Sequence, residues 1–290
     1  MGIRMSTLHT FDAQGLFGYG RKILDFGSSN LYGAPASEIA DFVRKYNPKP
    51  RSDLESWADS LAFRSGTAED GQARNEAFVG ELLEAAGMIY DAIDIADGYK
   101  TTIVDLNSRS LPRRMRSYYD TVMNCGTSEH ILNQYNTFKA VHDAAKVGGI
   151  MLHQVPSVGY TDHCYFCYTS RFFCDLAGYN HYAIEDLWYD GSVENEKLYD
   201  SIRQYQSIFP ALKKRVEAVG SVEMDTKLDA MTIPTVSIGV IFRKQTRKPF
   251  SGTVEMSTSV GTIFLGSRGR GLSRWIRSDH GRLIINLPWF

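Results

Sequence analysis

Short apolar runs bounded by turn residues alternate along this chain with longer stretches whose apolar positions recur at helical spacing. That alternation is the signature of βαβ units around a mostly parallel sheet. Arg21 to Gly27 reads as a buried first strand ending in a Gly-Ser-Ser-Asn turn. A helix from about Ser37 carries Ile39, Phe42 and Val43 on one face and stops before Asn47-Pro48-Lys49-Pro50, where proline excludes continuation. The polar span 47–73, with a short helix near Leu54 to Phe63, reads as an insertion and a candidate lid. Asn75 to Ala86 is a second helix, because Phe78, Leu82, Leu83 and Ala86 form one stripe. Strands follow at Ile89 to Ile95, Thr101 to Asp105 and Tyr118 to Asn124, then a helix at Gln134 to Lys146 and a fifth strand at Ile150 to Val155.

Beyond Pro156 the pattern is less regular. The aromatic stretch from Tyr160 to Tyr189 is too long for an ordinary connection, so 156–215 is expected to be a substrate-binding insertion. A helix bent at Pro210 is expected over Leu198 to Val219, a strand over Val236 to Phe242, and further strand or hairpin over Thr253 to Phe264 within a C-terminal extension, 250–290. The whole predicts a single α/β domain, 1–290: a doubly wound, mostly parallel seven-stranded sheet with an antiparallel closing strand and insertions after strands 1 and 5.

Composition narrows the function. Lys plus Arg number 32 against 33 for Asp plus Glu, a net charge of -1. No chain-wide positive field is available to gather nucleic acid or anionic lipid, and neither is expected as a partner. No apolar run approaches the roughly 18 to 20 residues that cross a bilayer. Gly2 fits a loose myristoylation pattern that many unrelated chains also match. Four cysteines in 290 residues, and no apolar signal segment at the N-terminus, lead us to expect a cytoplasmic protein with reduced thiols. The sequence leaves homo-oligomer formation open.

The candidate chemistry gathers at strand ends. A first strand that delivers a glycine turn, Leu24-Asp25-Phe26-Gly27-Ser28-Ser29-Asn30, lets backbone approach a nucleotide-like cofactor at the carboxyl edge of the sheet. A purely structural turn explains those residues about as well when they are taken alone. Asp94 ends the second strand, where a carboxylate can accept both hydroxyl protons of a ribose. Asp105-Leu106-Asn107 ends the third, offering a carboxylate and a backbone N–H to an adenine ring. The stretch from Asp120 through Asn124 to Glu129-His130-Ile131, and Val147-Gly148-Gly149, complete the series.

Taken together, these pieces resemble the class I S-adenosylmethionine-dependent methyltransferases over roughly residues 20 to 155. The glycine turn departs from the family's Asp-x-Gly-x-Gly-x-Gly pattern, with Ser29 and Leu31 in the later glycine places, and Asp94 lies far downstream of the usual spacing. The resemblance implies S-adenosylmethionine as cofactor and a small-molecule methyl acceptor. By it Asp25 organises the turn, Gly27 and Ser29 let the chain pass the methionine end, and Asp94 holds the ribose. Asp105 and Leu106 hold the adenine, and Asn124 lies near the sulfonium. O-methyl transfer is the expected reaction; N- or S-methyl transfer and a non-catalytic methyltransferase-like subunit are the alternatives. A nicotinamide-dependent oxidoreductase would want Gly-x-Gly-x-x-Gly in the turn.

A hydroxyl acceptor benefits from a base. His153, at the end of the fifth strand, and His163, in the Tyr160-Thr161-Asp162-His163 turn, are the candidates, His163 preferred; a packed or solvent-facing histidine is the alternative for each. Glu129, His130 and His153 could form an oxygen–nitrogen metal site, but no close ligand spacing supports it, and no metal is expected. Cys164, Cys167 and Cys174 alternate with aromatic residues, which suits half-buried thiols in an aromatic wall better than zinc ligands.

Overall fold

The computed structural model describes residues 2–160, 163–191, 196–199, 236–252, 254 and 264–265. In chain order the elements are β1 (Gly2–Arg4), α1 (Met5–Ala13), β2 (Lys22–Phe26), β3 (Asn30–Tyr32), α2 (Ala36–Tyr46), α3 (Leu54–Ser65), α4 (Val79–Ala85), β4 (Ile89–Asp94) and β5 (Thr101–Ile103). They continue with β6 (Tyr119–Cys125), α5 (Gln134–Ala144), β7 (Ala145–Val158), α6 (Ser170–Asn180), β8 (Tyr182–Gly191), β9 (Glu196–Tyr199), β10 (Val236–Lys244) and β11 (Phe264–Leu265).

Seven of these strands form the main sheet in the order β5-β4-β2-β6-β7-β10-β8, with β9 and β11 added beside β8. Strands β2, β4, β5, β6 and β7 run parallel, and β10 lies antiparallel to both of its neighbours, β7 and β8. This is the predicted doubly wound sheet with its antiparallel closing strand. Alternation along the strands feeds two cores. Leu24, Val122, Met151 and Val240 join α5 and α6 on one face. Ile23, Met123, Leu152 and Ile241 join α1 to α4 on the other.

Local signals set the helix ends. Asn133 accepts a hydrogen bond from the Asn136 N–H at 3.1 Å and Thr169 accepts one from the Phe172 N–H at 3.3 Å, capping α5 and α6. The second predicted helix begins later than its stripe suggests. Asn75 takes a left-handed φ of 55°, and the following backbone pairs with β3 through Leu31 N–H to the Ala77 carbonyl at 2.9 Å. Only at Val79 is the chain free to coil, with the Glu81 side chain accepting from the Phe78 N–H at 3.1 Å.

Two regional expectations are revised. Much of the span 156–215 is part of the main fold, since α6 packs on the sheet and β8 is one of its strands. The reason is that β8 is buried on both faces through Tyr182, Ile184, Leu187, Trp188 and Tyr189, so its apolar and aromatic residues, interrupted by Glu185 and Asp186, show no strand alternation. Within the expected helix over Leu198 to Val219, residues 198 and 199 lie in β9, and the remainder lies outside the described residues, as does most of the segment Thr253 to Phe264. In the 47–73 span α3 packs beside α2, burying Leu54, Ala58 and Leu61, and the Gly33 N–H reaches the Ser65 carbonyl at 2.7 Å. No helix among the described residues is long and apolar enough to cross a membrane.

Candidate functional site

Strand β2 pairs with β4 on one side and β6 on the other; the connection after β2 leads toward β4 and the one after β6 toward β7, so the two part at the carboxyl ends of these neighbouring strands. A cleft of about 840 Å³, counted to its open mouth, lies there. It is lined by the ends of four parallel strands: Phe26 and Gly27 after β2, Ile93 to Ile95 at β4, Val104 to Asn107 after β5, and Gly126 and Thr127 after β6. His130, Ile131 and His163 complete it. The crevice outside the strands' carboxyl ends, at the point where strand order reverses, is where open α/β sheets bind ligands.

The β2 turn is built around a buried carboxylate. Asp25, fully buried, accepts from the Ser29 N–H at 2.8 Å, the Ser29 hydroxyl at 3.2 Å and the Tyr90 hydroxyl at 2.9 Å. Burial raises its pKa above the ordinary carboxylate value, against the lowering effect of those hydrogen bonds. Asp25 therefore shapes the turn from behind, and Ser29 is its partner. Gly27 is the residue that meets the cleft, with φ at +106° and a Cβ position 2.3 Å from the Thr127 hydroxyl oxygen, so a side chain is excluded by both conformation and space. Ser28 follows with a φ of 41°, which continues the turn.

The carboxylates of β4 and β5 stand on the cleft wall. Asp94 accepts from the Ile95 N–H at 2.6 Å and the Ala96 N–H at 3.1 Å through one oxygen, which fixes its direction. Asp105 accepts from the Asn107 N–H at 2.9 Å and the Ser108 hydroxyl at 2.8 Å, and these bonds hold its pKa below the ordinary value. A carboxylate has about four lone-pair directions, so each keeps capacity for a ligand. Leu106 is buried beneath them, its carbonyl held by the Asn136 amide at 2.7 Å.

Two sequence expectations fail here. Asn124 is fully buried and does not line the cleft; its amide donates to the Ser128 hydroxyl at 2.9 Å and faces His153 Nδ1 at 2.9 Å, while its oxygen accepts from the Ser128 N–H at 3.1 Å. It orders the loop that presents Gly126 and Thr127. His153 is 1% exposed and enclosed by the rings of Phe138, Phe173 and Phe242. Burial pushes its pKa down to about 3, so the ring is a neutral packing residue. The cause is register: His153 sits beside Asn124 across β6 and β7, in the interior of β7, which runs on to Val158.

His163, by contrast, is exposed at the mouth, its ring 5.0 Å centroid to centroid from that of His130. Behind the pair lies Glu129, fully buried, with no hydrogen-bond partner for either carboxylate oxygen among the described residues. Burial raises its pKa to about 7. The ligand-type atoms of Glu129, His130 and His163 all lie within 4.8 Å of one another. The Glu129 carbonyl accepts from the Tyr165 and Phe166 N–H groups at 3.0 and 3.3 Å, which ties the His163 turn to this wall. Cys164 and Cys167 face each other at 4.0 Å in the same turn, whereas Cys174 is buried in α6. Sequence reading missed Tyr90 and Thr127, whose roles depend on partners 65 and 101 residues away.

No family model matches the chain, and no curated protein does. Among solved structures it is similar to a SAM-dependent methyltransferase from Archaeoglobus fulgidus, at 13% identity over 83% of this chain and 92% of that one, TM-score 0.38. It is also similar to the 1,6-didemethyltoxoflavin-N1-methyltransferase of Burkholderia thailandensis, at 8% identity over 83% and 76% of the two chains, TM-score 0.37. A third is phosphoethanolamine N-methyltransferase 2 of Haemonchus contortus, at 12% identity over 82% of this chain and 52% of that one, TM-score 0.40. In strand order and direction, the sheet described above is the doubly wound, mostly parallel sheet with an antiparallel closing strand that the sequence reading predicted.

Proposed function

We propose that the chain binds S-adenosylmethionine in this cleft and transfers its methyl group to a small-molecule hydroxyl. The observation that carries the reading is the cleft at the strand-order reversal, with a side-chain-free turn at Gly27 and carboxylates at the next two strand ends, Asp94 and Asp105. Asp94 would accept the ribose hydroxyls. Ile95, Leu106 and Ile131 offer apolar surface to an adenine ring, with Asp105 beside its amino group. The backbone at Gly27 would take the methionine end. His163 would serve the acceptor.

Methyl transfer is an in-line displacement, in which alignment and exclusion of water do most of the work. An oxygen acceptor is favoured over sulfur or nitrogen because Glu129, His130 and His163 gather at the cleft wall side chains that can promote loss of a hydroxyl proton, whether as bases or through an ion they hold, and a thiolate or neutral amine needs no such help. S-adenosylhomocysteine should raise the melting temperature and NAD should not. Asp94→Ala should remove most of that shift without unfolding the protein, since each charge-assisted ribose bond contributes about 1.5 to 3 kcal/mol. An equal response to NAD, or none to either compound, would reject the reading.

A further inference from the structure

We infer that Glu129, His130 and His163 form a binding site for one divalent transition-metal ion at the cleft wall. Two independent observations meet there. The first is the donor set: one carboxylate and two imidazoles, with ligand atoms all within 4.8 Å of one another and Glu129 Oε1 4.0 Å from His130 Nε2. Two histidines and a carboxylate, with a further position open, are a donor set that zinc and its neighbours accept. Ion-to-donor distances of about 2.0 to 2.2 Å require the three groups to draw closer, and both imidazoles are exposed enough to turn without repacking the core.

The second observation is the state of Glu129. A fully buried carboxylate without a hydrogen-bond partner is costly, and proteins resolve that cost by protonation or by a cation. The cleft lining contains no lysine or arginine to supply one. A divalent ion held between Glu129 and the imidazoles removes the deficit, and the ion's remaining position opens on the cleft. The outer support is also present, because the Glu129 carbonyl anchors the turn that carries His163. His163 comes from a turn 33 residues beyond His130, so no local sequence spacing announces the set.

Metal binding stands on its own geometry. The use of the ion, as a Lewis acid that polarises an acceptor oxygen and makes its proton easier to lose, rests on the methyl-transfer reading and gives His163 its part in it.

The test is direct and needs neither cofactor nor acceptor. Chelator-treated protein is titrated with zinc chloride by calorimetry and with cobalt chloride by visible absorption. The wild type should bind one ion per chain, with cobalt bands of a site free of thiolate ligands. His163→Ala, an exposed change that leaves the core intact, should weaken binding about tenfold or more, as should Glu129→Gln and His130→Ala. Cys164→Ser combined with Cys167→Ser should bind as the wild type does. Absence of stoichiometric binding, unchanged affinity in His163→Ala, or a sulfur-to-cobalt band lost in the double serine variant would each overturn the inference.

Discussion

His153 and His163 sit ten residues apart and in opposite physical worlds. His153 lies inside the sheet, between α5, α6 and β10, where three phenylalanine rings surround it and one buried amide faces its Nδ1. His163 lies at the cleft mouth among a second histidine and a carboxylate that no hydrogen bond satisfies. The first environment is closed as it stands: the Asn124 amide meets Nδ1 and the ring packs among aromatic side chains. The second is incomplete, holding more donor capacity than the protein itself uses. Incompleteness of that kind marks a place where something else binds.

The contrast can be broken by exchanging consequences. The largest expected effect is on turnover: with an acceptor in hand, His163→Ala should lower the methylation rate by about 10² to 10⁴ while S-adenosylhomocysteine still raises the melting temperature. Near-wild-type turnover would move the acceptor chemistry away from this wall. His153→Ala should do the reverse, lowering unfolding free energy by about 2 to 4 kcal/mol in urea, because it opens a cavity and strands the Asn124 amide. A loss under about 0.5 kcal/mol would show that His153 is not the packing residue described.

Acid titration sharpens the same comparison. The folded pKa of His153, about 3, lies below its ordinary 6.5, so between those values the unfolded chain binds a proton that the folded chain does not. Its contribution to stability therefore falls as pH drops from 6.5 toward 3, by up to about 1.4 kcal/mol per unit. Glu129 has the opposite sign: its folded pKa of about 7 lies above 4.5, so its contribution is present at low pH and lost as pH rises from 4.5 to 7. In metal-free protein, His153→Gln should flatten the acid limb of a stability-against-pH curve, and Glu129→Gln should flatten the limb between 4.5 and 7. Identical curves for both variants would contradict the two assignments. The smallest effect belongs to the neighbouring thiols. Cys164→Ser with Cys167→Ser should shift stability by no more than about 0.5 kcal/mol, since both lie in a partly exposed turn outside the core.

Much of the fold was legible because its signals are local. Asp25-Phe26-Gly27 at the end of an apolar run, the prolines at 48 and 50 and the carboxylates Asp94 and Asp105 at strand ends are sequence facts that position alone makes meaningful. They specified the β2 turn, the end of α2 and three walls of the cleft. Where a residue's environment depends on a distant strand, sequence reading went astray. By sequence, Asn124 and His153 both look like strand-end residues, yet β7 runs on to Val158 and its pairing with β6 turns the two to each other inside the core. Strand β8 read as a binding wall because burial on both faces erases the alternation that identifies a strand.

The sequence by itself determined the order of the main strands and helices from β2 to β7, the direction of the sheet and the chemical character of its carboxyl edge, because periodicity, turn residues and strand-end acids act over a few residues. Tertiary structure alone decided which polar groups face the cleft and which are sealed. It brought His163 back beside Glu129 and His130 through two backbone hydrogen bonds, and it enclosed His153 in aromatic rings. Burial depends on partners tens of residues away, and burial is what separates a histidine that binds from one that packs.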